Sequence, residues 1–306
     1  MALALCYYLQ VPQSISSAKS KMFKDYLTLC KPRVVLLMLL TAIVGMLITP
    51  KAQHNLATAA YGLTGIALLS SAGAAINHII DRAWDKHMRR THKRPLVVGS
   101  LTLKHATCFA LALACIGTLV LWCFTNTTAT ILTLCTMFGY AVVYTYWLKH
   151  ASPQNIVIGG LSGALPPLLG WSCLTGNMAA EPWLLVLIIF AWTPAHFWAL
   201  AIDRIEDYKK AEIPMLPVTH GICYTQLQVF LYSILTICST YLPIIINMFG
   251  LIYLIGASIL NAYFGYRAYA TWQAKYSPKQ FFWLSIYYLM LLFLVMLIDT
   301  WVFISV

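Results

Sequence analysis

The sequence predicts an all-α, polytopic membrane protein: a bundle of nine transmembrane helices with its N-terminus in the cytoplasm and its C-terminus outside. Three observations carry that expectation. Of 306 residues, 60% are hydrophobic and only 9% are charged, a balance suited to lipid rather than water as the surrounding solvent. Apolar stretches of about 20 residues, the length a helix needs to cross the hydrocarbon layer, recur along the whole chain. The basic residues are also lopsided: with the N-terminus inside, 19 of the 20 lysines and arginines fall on the cytoplasmic side and only Lys51 lies opposite, as the positive-inside rule demands. That asymmetry accounts for the net charge of +11 without a nucleic-acid partner. The chain reads as one transmembrane domain, 1–306, with 1–24 as a cytoplasmic tail.

Met1 to Gln10 is apolar but has no basic flank, and Pro12 follows at once, so it reads as an uncleaved tail rather than a signal peptide. The first span, 31–49, opens on Lys31, Pro32 and Arg33, which suit a helix entry at the interface. The second, 56–80, carries Ser70, Ser71, Gly73, Ala74 and Ala75 near its end, small residues that let helices approach closely. The spans at 105–125 and 129–148 are joined by a short polar turn. The fifth, 156–174, is interrupted by Gly159, Gly160, Gly163, Pro166, Pro167 and Gly170, which predicts a kinked, tightly packed helix. The remaining spans are 183–202, 227–248, 251–272 and 281–304. Nine cysteines with no C-x-x-C pair read as small apolar packing residues.

Chemistry concentrates in two cytoplasmic loops. After the second span, Asn77, Asp81 and Asp85 recur every four residues, one polar stripe on a helix. Stacked carboxylates repel, so a cation between them is the expected resident. Arg89, Arg90, Lys93 and Arg94 follow, donors suited to an anion such as diphosphate. After the sixth span, Asp203 and Asp207 repeat the four-residue spacing, with Tyr208, Lys209 and Lys210 behind them. These two loops hold six of the nine acidic residues. Two D-x-x-x-D motifs facing each other fit Mg²⁺ bridging to a diphosphate. His196 lies seven residues before Asp203, two turns deeper on the same face, about 10 Å by helix rise; it reads either as a ligand contact or as a core histidine bonded to a neighbour. Membrane-edge carboxylates would also suit a cation-coupled transporter, although such proteins place their ionisable site near the midplane.

Paired aspartate motifs at one edge of nine helices resemble the UbiA-type intramembrane prenyltransferases. DYLTLCKPRV, the M-x-R-T-x-x-R-P-L pattern from Met88 to Leu96, NIVIGGLSGALPPLLGW at 155–171, TPAHFWALA at 193–201 and DYKKAEIPMLPV at 207–218 are similar to the branch of that family that farnesylates protohaem. The similarity runs from about Asp25 to Gly221. Two positions depart from it: Glu212 stands where glycine is expected, and His150 where a second basic residue is usual.

The resemblance implies transfer of farnesyl from farnesyl diphosphate to a vinyl group of haem B, with addition of water, in the lipid bilayer of a bacterial inner membrane and with the site facing the cytoplasm. It implies Mg²⁺ on Asp81, Asp85, Asp203 and Asp207, and diphosphate contacts from Asn77, Arg90, Lys93, Arg94, Lys149 and Lys209. Tyr140, Tyr144, Tyr146 and Tyr208 would face the allylic cation, and His196 the haem. Haem A synthase or terminal oxidase assembly would use the product. A sibling enzyme prenylating a hydroxybenzoate, naphthoate or chlorophyll-type acceptor is the nearest alternative.

Overall fold

The computed structural model describes residues 13–50, 55–88 and 91–304, with no strand among them. Helix α1 (Gln13–Leu29) leads into α2 (Pro32–Leu47), and α3 (Leu56–Asp85) is followed by a short α4 (Pro95–Val98) and by α5 (Leu103–Phe124). α6 (Thr127–Phe138) passes without interruption into a ten-residue π segment (Gly139–Leu148) and a last turn, α7 (Lys149–Ala151). α8 (Asn155–Ala164) and α9 (Pro166–Thr175) share one span broken before the proline pair, as the Gly/Pro pattern predicts. α10 (Ala180–Asp203), short α11 (Ile205–Lys210) and α12 (Leu216–Thr219) precede three long helices, α13 (Ile222–Ile245), α14 (Leu251–Trp272) and α15 (Pro278–Ile304).

Among the described residues, seven helices are long and apolar enough to cross a membrane, and the pair Lys21–Leu29 and Pro32–Leu47, bent by 47°, makes an eighth. α2 alone has 16 residues, about 24 Å of rise against a hydrocarbon layer of about 30 Å, so it needs the end of α1 to reach across. The stretch at 251–272 is helical throughout, but Asn261, Arg267 and four tyrosines make it more polar than the other spans.

Large apolar side chains such as Leu36, Leu111, Leu119, Ile131, Ile255 and Ile259 stand exposed around the outside. A water-soluble monomer would not tolerate so wide an apolar surface; lipid does. Among the described residues, six cysteines also lie on this outer surface, and only Cys173 packs in the core. α3 packs on α5, α2 on α9, and α10 on α8, α13 and α15, while α15 closes back against α2. The α2–α9 crossing is close enough to need glycine on both sides. A Cβ on Gly45 would lie 2.0 Å from the Pro167 carbonyl oxygen, and one on Gly170 would lie 2.0 Å from that of Ala42. In lipid, helices associate through such close packing rather than through a hydrophobic driving force.

Candidate active site

The site grows from the last three turns of α3. The helix starts under an Asn55 cap, whose side chain accepts from the Thr58 amide, and it carries no charged side chain before Asp81. Asn77, Asp81 and Asp85 then line one face, each 3% exposed or less. Burial of two carboxylates this deep requires partners, and neighbouring elements supply them. Lys149, at the end of the π segment, donates to Asp81 Oδ2 at 2.6 Å. Arg94, brought back by the turn at Thr91, donates to Asp85 Oδ2 at 2.5 Å. Asn77 Nδ2 donates to the same Asp81 oxygen at 2.8 Å and to Thr145 Oγ1 at 3.2 Å. The repulsion between stacked carboxylates is therefore relieved by the protein's own cations.

Lys31 completes this network from α2. Its ammonium donates to Asn77 Oδ1 and, at 3.3 Å, to the Tyr140 hydroxyl. Lys31 sits at φ 50°, ψ 58°, a left-handed conformation that costs a non-glycine residue about 1–2 kcal/mol, and its polar contacts offset that cost. From the sequence alone Lys31 looked like an interfacial anchor. The one signal that could have marked it was its place directly before a helix-opening proline.

The π winding arranges the opposite wall. Its i→i+5 turns bring Thr145 Oγ1 to the Tyr140 carbonyl at 2.8 Å, and the Tyr140 and Tyr144 rings stack with centroids 5.8 Å apart. Asn155 donates to the Ser152 carbonyl at 2.8 Å and to that of Lys149 at 3.4 Å, fixing the turn that carries the lysine. Such windings are rare and gather at functional sites; nothing in the local pattern of GYAVVYTYWL announces one.

The second motif is built differently. α10 ends at Asp203, Arg204 breaks the helix at φ −119°, ψ 24°, and Asp207 belongs to α11. Its two aspartates are thus not one helical stripe like those of α3. Asp203 is exposed and Asp207 half-buried. Tyr208 packs against the main core, and the exposed Lys209 pairs with Glu206 at 3.1 Å. Among the described residues, no three His, Cys, Asp or Glu side chains come close enough to hold one metal ion, so the four aspartates do not form a single cluster. One observation does suit a cation: Asp81 Oδ1 is buried with no hydrogen-bond partner among the described residues, leaving a carboxylate oxygen free beside Asn77.

The other residues singled out by the sequence fall in different places. Arg90 lies outside the described residues. Lys93 is exposed. Tyr144 lies so close to Gly159 that a Cβ there would be 2.0 Å from its ring. Tyr146 is 71% exposed. His196 is 7% exposed and bonds to Ser285 of α15 at 2.8 Å.

A buried asparagine–aspartate stripe is ringed by lysine, arginine and tyrosine at one end of a membrane bundle, a cluster of donors suited to an anion. The chain belongs to the UbiA prenyltransferase family, whose pattern it matches over residues 38–297. It is 48% identical over 295 residues to protoheme IX farnesyltransferase 2 of Vibrio campbellii, covering 95% of this chain and 96% of that one. It is 50% identical over 294 residues to protoheme IX farnesyltransferase of Idiomarina loihiensis, covering 94% and 98%. In structure it is similar to a digeranylgeranylglyceryl phosphate synthase, with a TM-score of 0.77 at 20% identity over 92% of this chain and 99% of that one. A UbiA homologue from Archaeoglobus fulgidus bound to GPP and Mg²⁺ gives a TM-score of 0.64 at 18% identity, covering 89% and 99%. These last two likenesses establish the fold.

Proposed function

We propose that this protein transfers the farnesyl group of farnesyl diphosphate to a vinyl group of haem B. The observation that carries the reading is the near-full-length identity of about half to relatives of that name, with which the site chemistry agrees. The C–O bond of the allylic diphosphate breaks heterolytically, diphosphate leaves with the electron pair, and the vinyl group attacks the farnesyl cation to form a C–C bond. Water then adds to the cation produced next to the porphyrin and loses a proton, giving a hydroxyethylfarnesyl side chain.

Each residue has a place in this scheme. Lys31, Lys149, Arg90 and Arg94 bind and neutralise the diphosphate, assisted by Lys93 and Lys209, and Asn77 orients it. Asp81 and Asp85 on one side and Asp203 and Asp207 on the other would hold Mg²⁺, which would supply further neutralisation of the leaving group. Lys149 and Arg94 are poised to exchange their carboxylates for phosphate oxygens when the substrate arrives with its metal. The faces of Tyr140, Tyr144 and Tyr208 tolerate the developing cation, and the apolar walls exclude water until the C–C bond has formed. We place nine spans in the bacterial inner membrane, the N-terminus and active site facing the cytoplasm, on the asymmetry of basic residues.

Membranes from cells expressing the chain, given farnesyl diphosphate and haem B, are expected to form the hydroxyethylfarnesyl product. Product from a hydroxybenzoate or naphthoate acceptor, with none from haem, would overturn the reading in favour of a sibling prenyltransferase.

A further inference from the structure

Arg267 is a charge without a counter-ion. Between Glu212 and Asp299 the chain has no acidic residue, and among the described residues no carboxylate pairs with Arg267. Three tyrosines enclose its guanidinium instead. The ring centroids of Tyr276, Tyr263 and Tyr266 lie 4.7, 5.1 and 5.6 Å from Cζ, and Tyr263 also presents its hydroxyl. Nε is buried and has no hydrogen-bond partner among the described residues. Aromatic faces attract a cation, but a guanidinium carries five N–H donors in a fixed fork, and this cage leaves most of them unanswered.

The position of the cage is equally specific. Ile255, Ile259, Tyr263 and Tyr266 are exposed at helical spacing along α14, so the outer stripe changes from aliphatic to aromatic one turn before Arg267. Tyr269 and, at the start of α15, Trp283 are exposed beside it. Aromatic side chains gather in this way at the depth of the lipid headgroups. The loop that follows supplies Lys275, and the first turn of α15 supplies Lys279, both exposed. Tyr276, the nearest ring, also lines a cavity of about 500 Å³ with Ile202, Ile222 and Gln226. The cage therefore lies at the end of the bundle that carries Asp203.

We propose that the α14–α15 corner binds the phosphate of an anionic phospholipid from the leaflet on the Asp203 side, with Arg267 gripping two phosphate oxygens. A planar guanidinium fork matches phosphate oxygens in pairs, and the tyrosine rings hold the fork in place before the lipid arrives. Lys275 and Lys279 add charge, which with Arg267 and no acid nearby favours an anionic over a zwitterionic headgroup. The acyl chains then lie along Ile255 and Ile259. This site is separate from farnesyl transfer and does not depend on which acceptor the enzyme uses.

The test is native mass spectrometry of the full-length protein released from detergent micelles, titrated with phosphatidylglycerol, with phosphatidylcholine of the same chains, or with inorganic phosphate. Phosphatidylglycerol is expected to bind most tightly. Arg267→Gln should weaken that binding about ten-fold, and Tyr276→Leu, which keeps the charge but removes a ring, should weaken it several-fold. Lys104→Gln, an exposed lysine elsewhere on the same side of the membrane, should leave it unchanged. Arg267→Lys, which keeps the charge and loses the fork, should bind more weakly than wild type with an unaltered unfolding temperature in lipid-free detergent. It serves as the test if Arg267→Gln does not fold. Equal weakening by Lys104→Gln, or wild-type binding by Arg267→Lys, would mean diffuse electrostatic attraction and overturns the site. Inorganic phosphate that binds as tightly as the lipid, or phosphatidylcholine that matches phosphatidylglycerol, overturns the choice of an anionic phospholipid.

Discussion

At the scale of single residues the site is a set of buried charges, each useful only with its partner. Asp81 shares one oxygen with Lys149 and Asn77 and keeps the other without a hydrogen-bond partner among the described residues; in the proposed reaction it would help to neutralise the leaving group through a metal. Asp81→Asn and Asp203→Asn are each expected to lower turnover by about 10²–10³-fold, with membrane insertion unchanged. Steady-state farnesyl transfer alongside a quantitative blot of the membrane fraction checks this, and near-normal turnover in both variants would remove the metal role. Glu212 supplies a second test. It stands where the family resemblance expects glycine, and it is held at φ 52°, in the left-handed region where side chains are strained. Glu212→Gly is expected to raise stability by about 1 kcal/mol without altering turnover, measured as thermal unfolding in detergent micelles. A lowered midpoint would mean that the glutamate makes a compensating contact.

At the scale of elements, the π segment carries the most consequence. It sets Thr145 against Asn77, Tyr140 against Lys31 and Lys149 against Asp81, three contacts an uninterrupted α-helix would place on different faces. The Tyr144 ring presses on α8 where Gly159 has no side chain. Gly159→Ala must therefore push that ring, and the segment behind it, away. We expect a loss of about 1–3 kcal/mol, together with weaker farnesyl diphosphate binding. Isothermal titration with a non-hydrolysable analogue would detect it; unchanged affinity would show that the wall moves without disturbing Lys149. The break at Arg204 has a similar importance, since it aims Asp207 on α11 independently of Asp203 on α10.

At the scale of the molecule, Lys149 and Arg94 hold the carboxylates of α3 in place. Asp81 and Asp85 are neutralised by Lys149 and Arg94, and breaking a buried pair of this kind costs about 3–5 kcal/mol. The bundle is therefore expected to fold without a metal. Without farnesyl diphosphate, chelation is expected to leave the unfolding temperature within about one degree of its value with Mg²⁺ while abolishing farnesyl transfer, because a metal that binds tightly only together with the diphosphate adds little stabilisation to the substrate-free fold. A large fall in that temperature on chelation would show that the metal is structural.

Much of this protein was legible in its sequence. Helicity, up to eight of the nine expected spans and the stripe of Asn77, Asp81 and Asp85 follow from hydropathy and from the helical period, both of which are local properties of the chain. Composition alone placed it in a membrane. What no local rule could reach was the choice of partners. Lys31 meets Asn77 across 46 residues, Lys149 meets Asp81 across 68 and Ser285 meets His196 across 89. Each pairing depends on how helices rotate and cross when they pack, on the glycines that let α2 and α9 touch, and on a π winding that shifts side chains around the helix axis. The charges could be read from the sequence, but only packing decided which of them cancel, because the cost of burying a charge depends on what stands beside it in space.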